Sequence, residues 1–302
     1  MALIAGPTAS GKSALALALA ERTGGIIVNA DSAQVYRNLP VLSAAPRRDE
    51  MQRAEHRLYG FLDGQRACSA ADWAQAARDE IADIHSRGRL PILVGGTGLY
   101  LRTLLDGIAP VPPIKADVRS AVRSANPEEN RRRLEQLDPS AANLLKPADR
   151  ARIGRALEVV LSTGRPLHEW QREREGGIGA QIDLQPIILL PPRAWLYARC
   201  DLRFATMMAQ GAVDEVKALL AGKLDPELPV MRGIGVREIA AYLCGEMSLE
   251  DAFRAGRQAT RRYAKRQYTW FAHQPPVEWP RFREPLDGAA FRAALEVLAP
   301  NA

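Results

Sequence analysis

The chain has 302 residues, 47% of them hydrophobic and 25% charged, which is the composition of a soluble globular protein with a sizeable core. No apolar run is long enough to cross a bilayer, and three cysteines (Cys68, Cys200 and Cys244) without a Cys-x-x-Cys pair argue against a disulfide framework and a zinc site. The net charge is +6, and the window from Ala252 to Ala272 alone holds Arg254, Arg257, Arg261, Arg262, Lys265 and Arg266 with no acidic residue. The apolar stretch Ala14 to Ala20 has only Lys12 before it as a basic signal and lies inside a better explained motif, so no export signal is read and the cytoplasm is the expected location.

In chain order, Leu3–Ala5 reads as a short strand running into a Gly-rich turn. Lys12 to Arg22 reads as a helix ended by Gly24 and Gly25. Ile26–Val28 is a second strand, Asp72 to Arg87 an amphipathic helix, and Ile92–Val94 a further strand followed by Gly95 and Gly96. Strands alternating with helices imply a parallel sheet covered on both faces. Pro110 to Pro113 break the pattern. From Asp117 to about Trp170 the chain reads as helices only, and Ile187–Leu190 returns to the sheet. The expected organisation is a core from 1–112 and 187–302, interrupted by a helical insertion over 113–186. The tail after Gln274 is Pro-rich and carries little signal.

Gly6-Pro-Thr-Ala-Ser-Gly11-Lys12-Ser13 matches G-x-x-x-x-G-K-[ST] between a strand and a helix. Its glycines let backbone N–H groups turn around phosphate oxygens, the helix N-terminus adds partial positive charge, Lys12 adds a full charge, and the Ser13 hydroxyl suits Mg²⁺. The pattern specifies a di- or triphosphate and leaves its bearer open. Asp31 follows the second strand, where ligands bind in open parallel sheets, and a carboxylate there can hold Mg²⁺ through water or take a proton. A turn or N-cap aspartate is the plainer alternative. Val94 to Tyr100 ends the later strand with three glycines and Thr97, leaving room for a bound molecule. On the acid-free helix, Arg254, Arg257, Arg261, Lys265 and Tyr268 share a face, which suits nucleic acid, although a solvated face is the usual meaning of such a run.

Together these segments resemble the tRNA dimethylallyltransferases, also called tRNA isopentenyltransferases. The matching pieces are Gly6–Ser13 (GPTASGKS), Asp31–Arg37 (DSAQVYR), Val94–Tyr100 (VGGTGLY), Arg152–Val159 (RIGRALEV), Gly211–Leu220 (GAVDEVKALL) and Thr260–Phe271 (TRRYAKRQYTWF), in the family's order. The resemblance implies a P-loop kinase-like parallel sheet covered by helices, with a helical insertion domain that contacts tRNA. It implies transfer of a dimethylallyl group from dimethylallyl diphosphate to the adenosine just 3′ of the anticodon, with the base flipped into one mouth of a channel.

By position, Asp31 resembles the base that takes a proton from the N6 amine, with Thr97 beside it in the catalytic pair. Gly6, Thr8, Ala9, Ser10, Gly11, Lys12, Ser13, Arg199 and Arg203 resemble diphosphate contacts, and Ser13 a Mg²⁺ contact. Asp31, Ser32, Ala33, Gln34 and Thr97 resemble the groups around the flipped adenine. Arg152, Arg155, Arg232, Gly235, Arg237, Arg261 and Lys265 resemble contacts to the tRNA anticodon stem-loop. A monomer without membrane association is expected. Where the family has Gly-Thr-Ala-Lys-Pro, this chain has Leu42-Ser43-Ala44-Ala45-Pro46, so a basic residue is lost. A small-molecule P-loop kinase or ATPase, a free-adenylate isopentenyltransferase and a non-catalytic RNA-binding protein are the competing readings.

Overall fold

The computed structural model describes residues 1–299. Six parallel strands form one sheet: β1 (Ala2–Ala5), β2 (Ile26–Asn29), β3 (His56–Arg57), β4 (Pro91–Gly95), β5 (Gln185–Leu189) and β6 (Arg281–Phe282), in the spatial order β3-β2-β4-β1-β5-β6. The registers Ile4 to Val94 and Ile4 to Ile187 set β1 between β4 and β5. Strands β1, β2 and β4 are buried at every position, as expected when both faces of a sheet are covered. On one face Ala2, Ile4, Ile27, Ile92, Val94, Ile187 and Leu189 pack against Leu15 and Leu19 of α1 (Lys12–Thr23) and against Ala294 and Leu298 near the chain end.

The chain divides into two compact units, one of residues 1–103 with 181–302, the other of residues 104–180. In the first unit, α2 (Arg48–Arg53) precedes β3. Helix α3 (Ala70–Ser86) starts two residues before the sequence reading, because Ser69 and Asp72 form a capping box and Asp72 is therefore the third helical residue. Helix α4 (Gly98–Asp106) contains the division between the units.

The second unit holds α5 (Ala116–Ser124), α6 (Pro127–Leu137), α7 (Pro139–Leu144), α8 (Arg150–Thr163) and α9 (Leu167–Trp170). Its core is Val122, Leu134, Ala142, Ile153, Leu157 and Val160, and the buried Asn130 amide donates to the Val122 carbonyl at 2.7 Å.

After β5 come α10 (Arg193–Ala209), α11 (Ala212–Ala221), α12 (Val236–Leu243) and α13 (Leu249–His273). The segment after Gln274, unread in the sequence, supplies edge strand β6 and α14 (Gly288–Leu298), which covers the α1 face of the sheet.

Helix α13 has 25 residues, roughly 37 Å at 1.5 Å per residue. It buries a narrow stripe: Ala252, Gly256, Thr260, Ala264, Gln267 and Phe271. The small residues let α10 come close, and a Cβ on Gly256 would overlap the Phe204 ring. Gly256→Ala should therefore lower the unfolding free energy by about 1–3 kcal/mol, as overpacking does, measured by urea denaturation against wild type.

Candidate active site

The carboxyl ends of β1, β4 and β2 converge, and each carries one piece of the site. After β1, the cradle uses left-handed or open backbone at Ala9 (φ 64°) and Gly11 (φ 100°), the second of which opens α1. Lys12 is buried and donates to the Pro7 carbonyl at 2.6 Å. Burial pushes its pKa down to about 8, with Asp31 opposing and Arg203 adding to the fall. The Ser10 hydroxyl is buried with no hydrogen-bond partner among the described residues and lines the cradle cavity, while Ser13 is exposed at the first turn of α1. A phosphate oxygen would satisfy such a buried hydroxyl.

After β2, the buried Asn29 side chain fixes the backbone of Asp31. Its Oδ1 accepts from the Asp31 N–H at 2.8 Å, and its Nδ2 donates to the carbonyls of Asp31 and Leu58, both at 3.0 Å. The Asp31 carboxylate accepts from the Ala33 N–H at 3.0 Å. Nothing in the sequence singles out Asn29; its partner Leu58 is 29 residues along the chain, so only the fold reveals the clamp.

After β4, Thr97 turns toward the same place. Its hydroxyl accepts from the Ser32 N–H at 2.9 Å and lies 3.2 Å from the Ser32 hydroxyl, and its own N–H donates to the Ala30 carbonyl. Thr97 does not line the cavities below; it ties the two strand ends together.

Helix α10 adds the cations. Arg199 donates to the Ala9 carbonyl at 3.1 Å and stacks on Trp195, 4.8 Å from the ring centroid. Arg203 donates to the Ser43 carbonyl at 3.3 Å, and burial lowers its pKa from the ordinary value, with Asp31 opposing. The divergent loop around Leu42–Pro46 is held at three points. Gln34 donates to the carbonyls of Ser43 and Ala44, Arg203 donates to Ser43, and Glu215 of α11 accepts from the amides of Val41 and Leu42 at 2.6 and 2.8 Å. Burial raises the Glu215 pKa while those two amides oppose the rise. Gln34 thus spends its amide protons on the loop.

Two cavities meet here. One of about 240 Å³ is lined by Thr8 to Ala14 together with Asp31, Gln34, Glu50, Arg199 and Arg203. The other, of about 200 Å³, is lined by Asp31, Ser32, Ala33, Tyr36, Tyr100, Phe204, Arg232 and Tyr263 among others. Thr8, Asp31 and Arg203 line both. A third space of about 500 Å³ adjoins the cradle through Ala9, Ser13, Gln34 and Glu50. Glu50 escaped the sequence reading, because a carboxylate on a six-residue helix gives no motif signal.

The remaining expected residues are more dispersed. Arg232 pairs with Glu227, and Arg237 is exposed on α12. Gly235 is buried against Leu42 and Phe204 and serves as the left-handed N-cap of α12 (φ 91°). In the second unit Arg152 sits at the exposed start of α8, 3.4 Å from Asp149, and Arg155 lies 3.8 Å from the buried Glu158.

The basic helix is less free than its sequence. Arg257 and Arg261 both bind Asp201 of α10, the former at 2.7 Å, and Arg254 pairs with Glu250 and Asp251. Partial burial would raise the Asp201 carboxyl, but the two guanidinium groups hold it below its ordinary range. Arg262, Lys265 and Arg266 are exposed and have no ion pair among the described residues.

A family model described as IPP transferase matches residues 34–274. The chain belongs to the IPP transferase family. It is 60% identical over 286 residues (93% of this chain, 90% of the relative) to the tRNA dimethylallyltransferase of Erythrobacter litoralis. Against that of Sphingopyxis alaskensis it is 59% identical over 287 residues, 95% and 94% of the two chains.

Among solved structures, the full-length tRNA isopentenylpyrophosphate transferase of Bacillus halodurans is similar with a TM-score of 0.71 and 31% identity, covering 99% of this chain and 95% of that one. A eukaryotic dimethylallyltransferase acting on tRNA is similar with a TM-score of 0.76 and 29% identity, over 89% and 69% of the two chains. The family match begins at Gln34, while the Bacillus halodurans structure covers 99% of this chain and so includes the cradle.

The depressed Lys12 pKa makes the cradle pH-sensitive. An anionic ligand binds the charged lysine, so affinity is full below the free-state pKa of about 8 and falls as pH rises through it. Calorimetric titration with inorganic diphosphate should show the wild-type affinity falling between pH 7 and pH 9 relative to that of Lys12→Met, by about tenfold or less, the variant serving to cancel the ionisation of diphosphate itself.

Proposed function

We propose that this IPP transferase moves a dimethylallyl group from dimethylallyl diphosphate to the N6 amine of the adenosine 3′ of the anticodon in tRNA, releasing diphosphate. The observation that carries the reading is that Asp31 and Arg203 border both the phosphate cradle and the adjoining cavity. A diphosphate in the first and a base in the second would share one carboxylate and one guanidinium. The adjoining cavity has Tyr36, Tyr100, Phe204 and Tyr263 in its wall, and aromatic rings suit a flat, unstacked base.

The donor's diphosphate lies against the cradle amides, Lys12, Ser10, Arg199 and Arg203. Attack by the N6 nitrogen on the allylic C1 forms the new C–N bond while the C1–O bond to diphosphate breaks. The amine proton passes to the Asp31 carboxylate, and the negative charge that develops on the leaving group is met by Lys12 and the two arginines. The donor set also fits Mg²⁺: the exposed Ser13 hydroxyl and the carboxylates of Asp31 and Glu50 line the cradle, all hard oxygen ligands that complement phosphate. When bound there, the ion supplies further neutralisation of the departing diphosphate. Thr97 holds Ser32, and so the adenine side of the cavity, in register with Asp31.

The tRNA is gripped by Arg232 and Arg237, by Arg152 and Arg155 of the helical insertion, and by the unpaired cations of α13. Arg261 spends its charge on Asp201, so Lys265, with Arg262 and Arg266, carries the phosphate-facing charge of that helix.

The protein should be incubated with dimethylallyl diphosphate, Mg²⁺ and unmodified tRNA, and the digested tRNA examined by mass for prenylated adenosine. Product from tRNA alone supports the reading. Product from AMP moves the protein to the free-nucleotide class, and ATP turnover without prenylation makes it a phosphoryl-transfer enzyme. Asp31→Ala should lower kcat by on the order of 10²- to 10⁴-fold with the donor KM little changed. Lys265→Ala should weaken tRNA binding and reduce the slope of log affinity against log salt by about 1. Arg261→Ala should leave that slope nearly unchanged, since its partner is Asp201.

A further inference from the structure

We propose that Gln267 is a positioning residue that sets the phosphate cradle against the Asp31 strand end, acting with Tyr263 and Trp270 on one face of α13. This rests on the reading of the cradle as the donor site and of Asp31 as the proton acceptor.

Sheet pairing between β1 and β4 ends at Ala5 and Gly95. Beyond that rung the two chains part, one into the cradle and the other into Gly96-Thr97-Gly98. The buried Gln267 carboxamide spans the gap. Its Oε1 accepts from the Thr8 N–H at 2.8 Å, and its Nε2 donates to the Gly96 carbonyl at 2.8 Å. One side chain therefore supplies the donor and acceptor of a missing rung, and a Cβ on Gly96 would overlap its Nε2.

The neighbouring α13 residues read the rest of the turn. Tyr263 lies beside the Thr97 side chain, and Trp270 packs so close to Gly98 that a Cβ there would overlap the indole. Positions 263, 267 and 270 fall at i, i+4 and i+7, one helical face, and each meets one residue of 96–98.

The two ends of this rung matter to the reaction. Thr8 lines both cavities, and Thr97 holds Ser32, which adjoins Asp31. Loosening Gln267 frees the cradle to shift relative to Asp31 without removing any group that binds either substrate. The transfer geometry suffers while ground-state binding persists.

The test compares wild type, Gln267→Leu and Gln267→Glu in transfer from dimethylallyl diphosphate to tRNA, with kcat, both KM values and thermal melting recorded. Gln267→Leu should melt cooperatively and keep both KM values within about threefold while kcat falls by about ten- to a hundredfold, the cost of sub-ångström misplacement. In Gln267→Glu the protonated acid keeps both the donor and the acceptor, whereas the carboxylate turns an acceptor toward the Gly96 carbonyl. Its kcat relative to wild type should stand well above that of the Leu variant at about pH 6 and fall toward it by about pH 9.

Wild-type kcat in the Leu variant overturns the proposal. So does a Glu variant that tracks the Leu variant at every pH, and so does a loss of kcat that accompanies a loss of cooperative melting. Wild-type protein that transfers nothing to tRNA overturns the proposed function itself, and this inference with it.

Discussion

A ligand cavity at the carboxyl edge of a parallel sheet removes the ladder partners of the loops that line it, yet buried amides and carbonyls must still be paired. Most of this protein's site follows from how that requirement is met. Side chains act as the missing backbone. Asn29 holds Asp31 and Leu58, Gln34 holds Ser43 and Ala44, Glu215 holds Val41 and Leu42, and Gln267 holds Thr8 and Gly96. Each makes two or three of the bonds that backbone would otherwise have supplied. The glycines of 95–98 follow from the same need, since the partners approach too closely for a Cβ.

Helix α13 is the beam on which much of this hangs. Its small-residue stripe brings Phe204 of α10 against Gly256, and Arg257 and Arg261 fasten Asp201 on the same helix that carries Arg199 and Arg203. One helix thus locates the cationic helix, the cradle and the β4 turn. Breaking one partner of a charge cluster such as Asp201 costs more than its surface position suggests, because two guanidinium groups lose their match together.

The sequence carried the parallel architecture and the cradle plainly, because short-range signals determine both: apolar runs bounded by glycine, and a phosphate-binding pattern within eight positions. Asp31 was legible for the same reason, by its place at a strand end. What escaped depends on distance along the chain. Asn29 and Leu58, Glu215 and Val41, or Gln267 and Thr8 become partners only when the fold brings them together. The two-residue strands β3 and β6 are too short to show alternation, and α14 lay in a tail that looked uninformative. The basic window is partly matched within the fold. It opened at Ala252, just past Glu250 and Asp251, and its other partner, Asp201, sits on a different helix, so half of its cations were already matched. Thr97 and Gly235 carry frame roles that the sequence did not show: the one laces two strand ends and the other caps a helix.

Asn29, Gln34, Thr97 and Gln267 share one more property: none of them ionises. Lys12, Asp31, Arg199 and Arg203 each touch the frame through one backbone group, but the clamps that join the strand ends and loops are neutral amides and a hydroxyl. These four clamps are electrically silent, so a proton can move onto Asp31 without any of them changing charge. Glu215 is the exception, and it holds the loop of Val41 and Leu42. A carboxylate in the place of any of the three amides would have tied the shape of the site to the acidity of its surroundings.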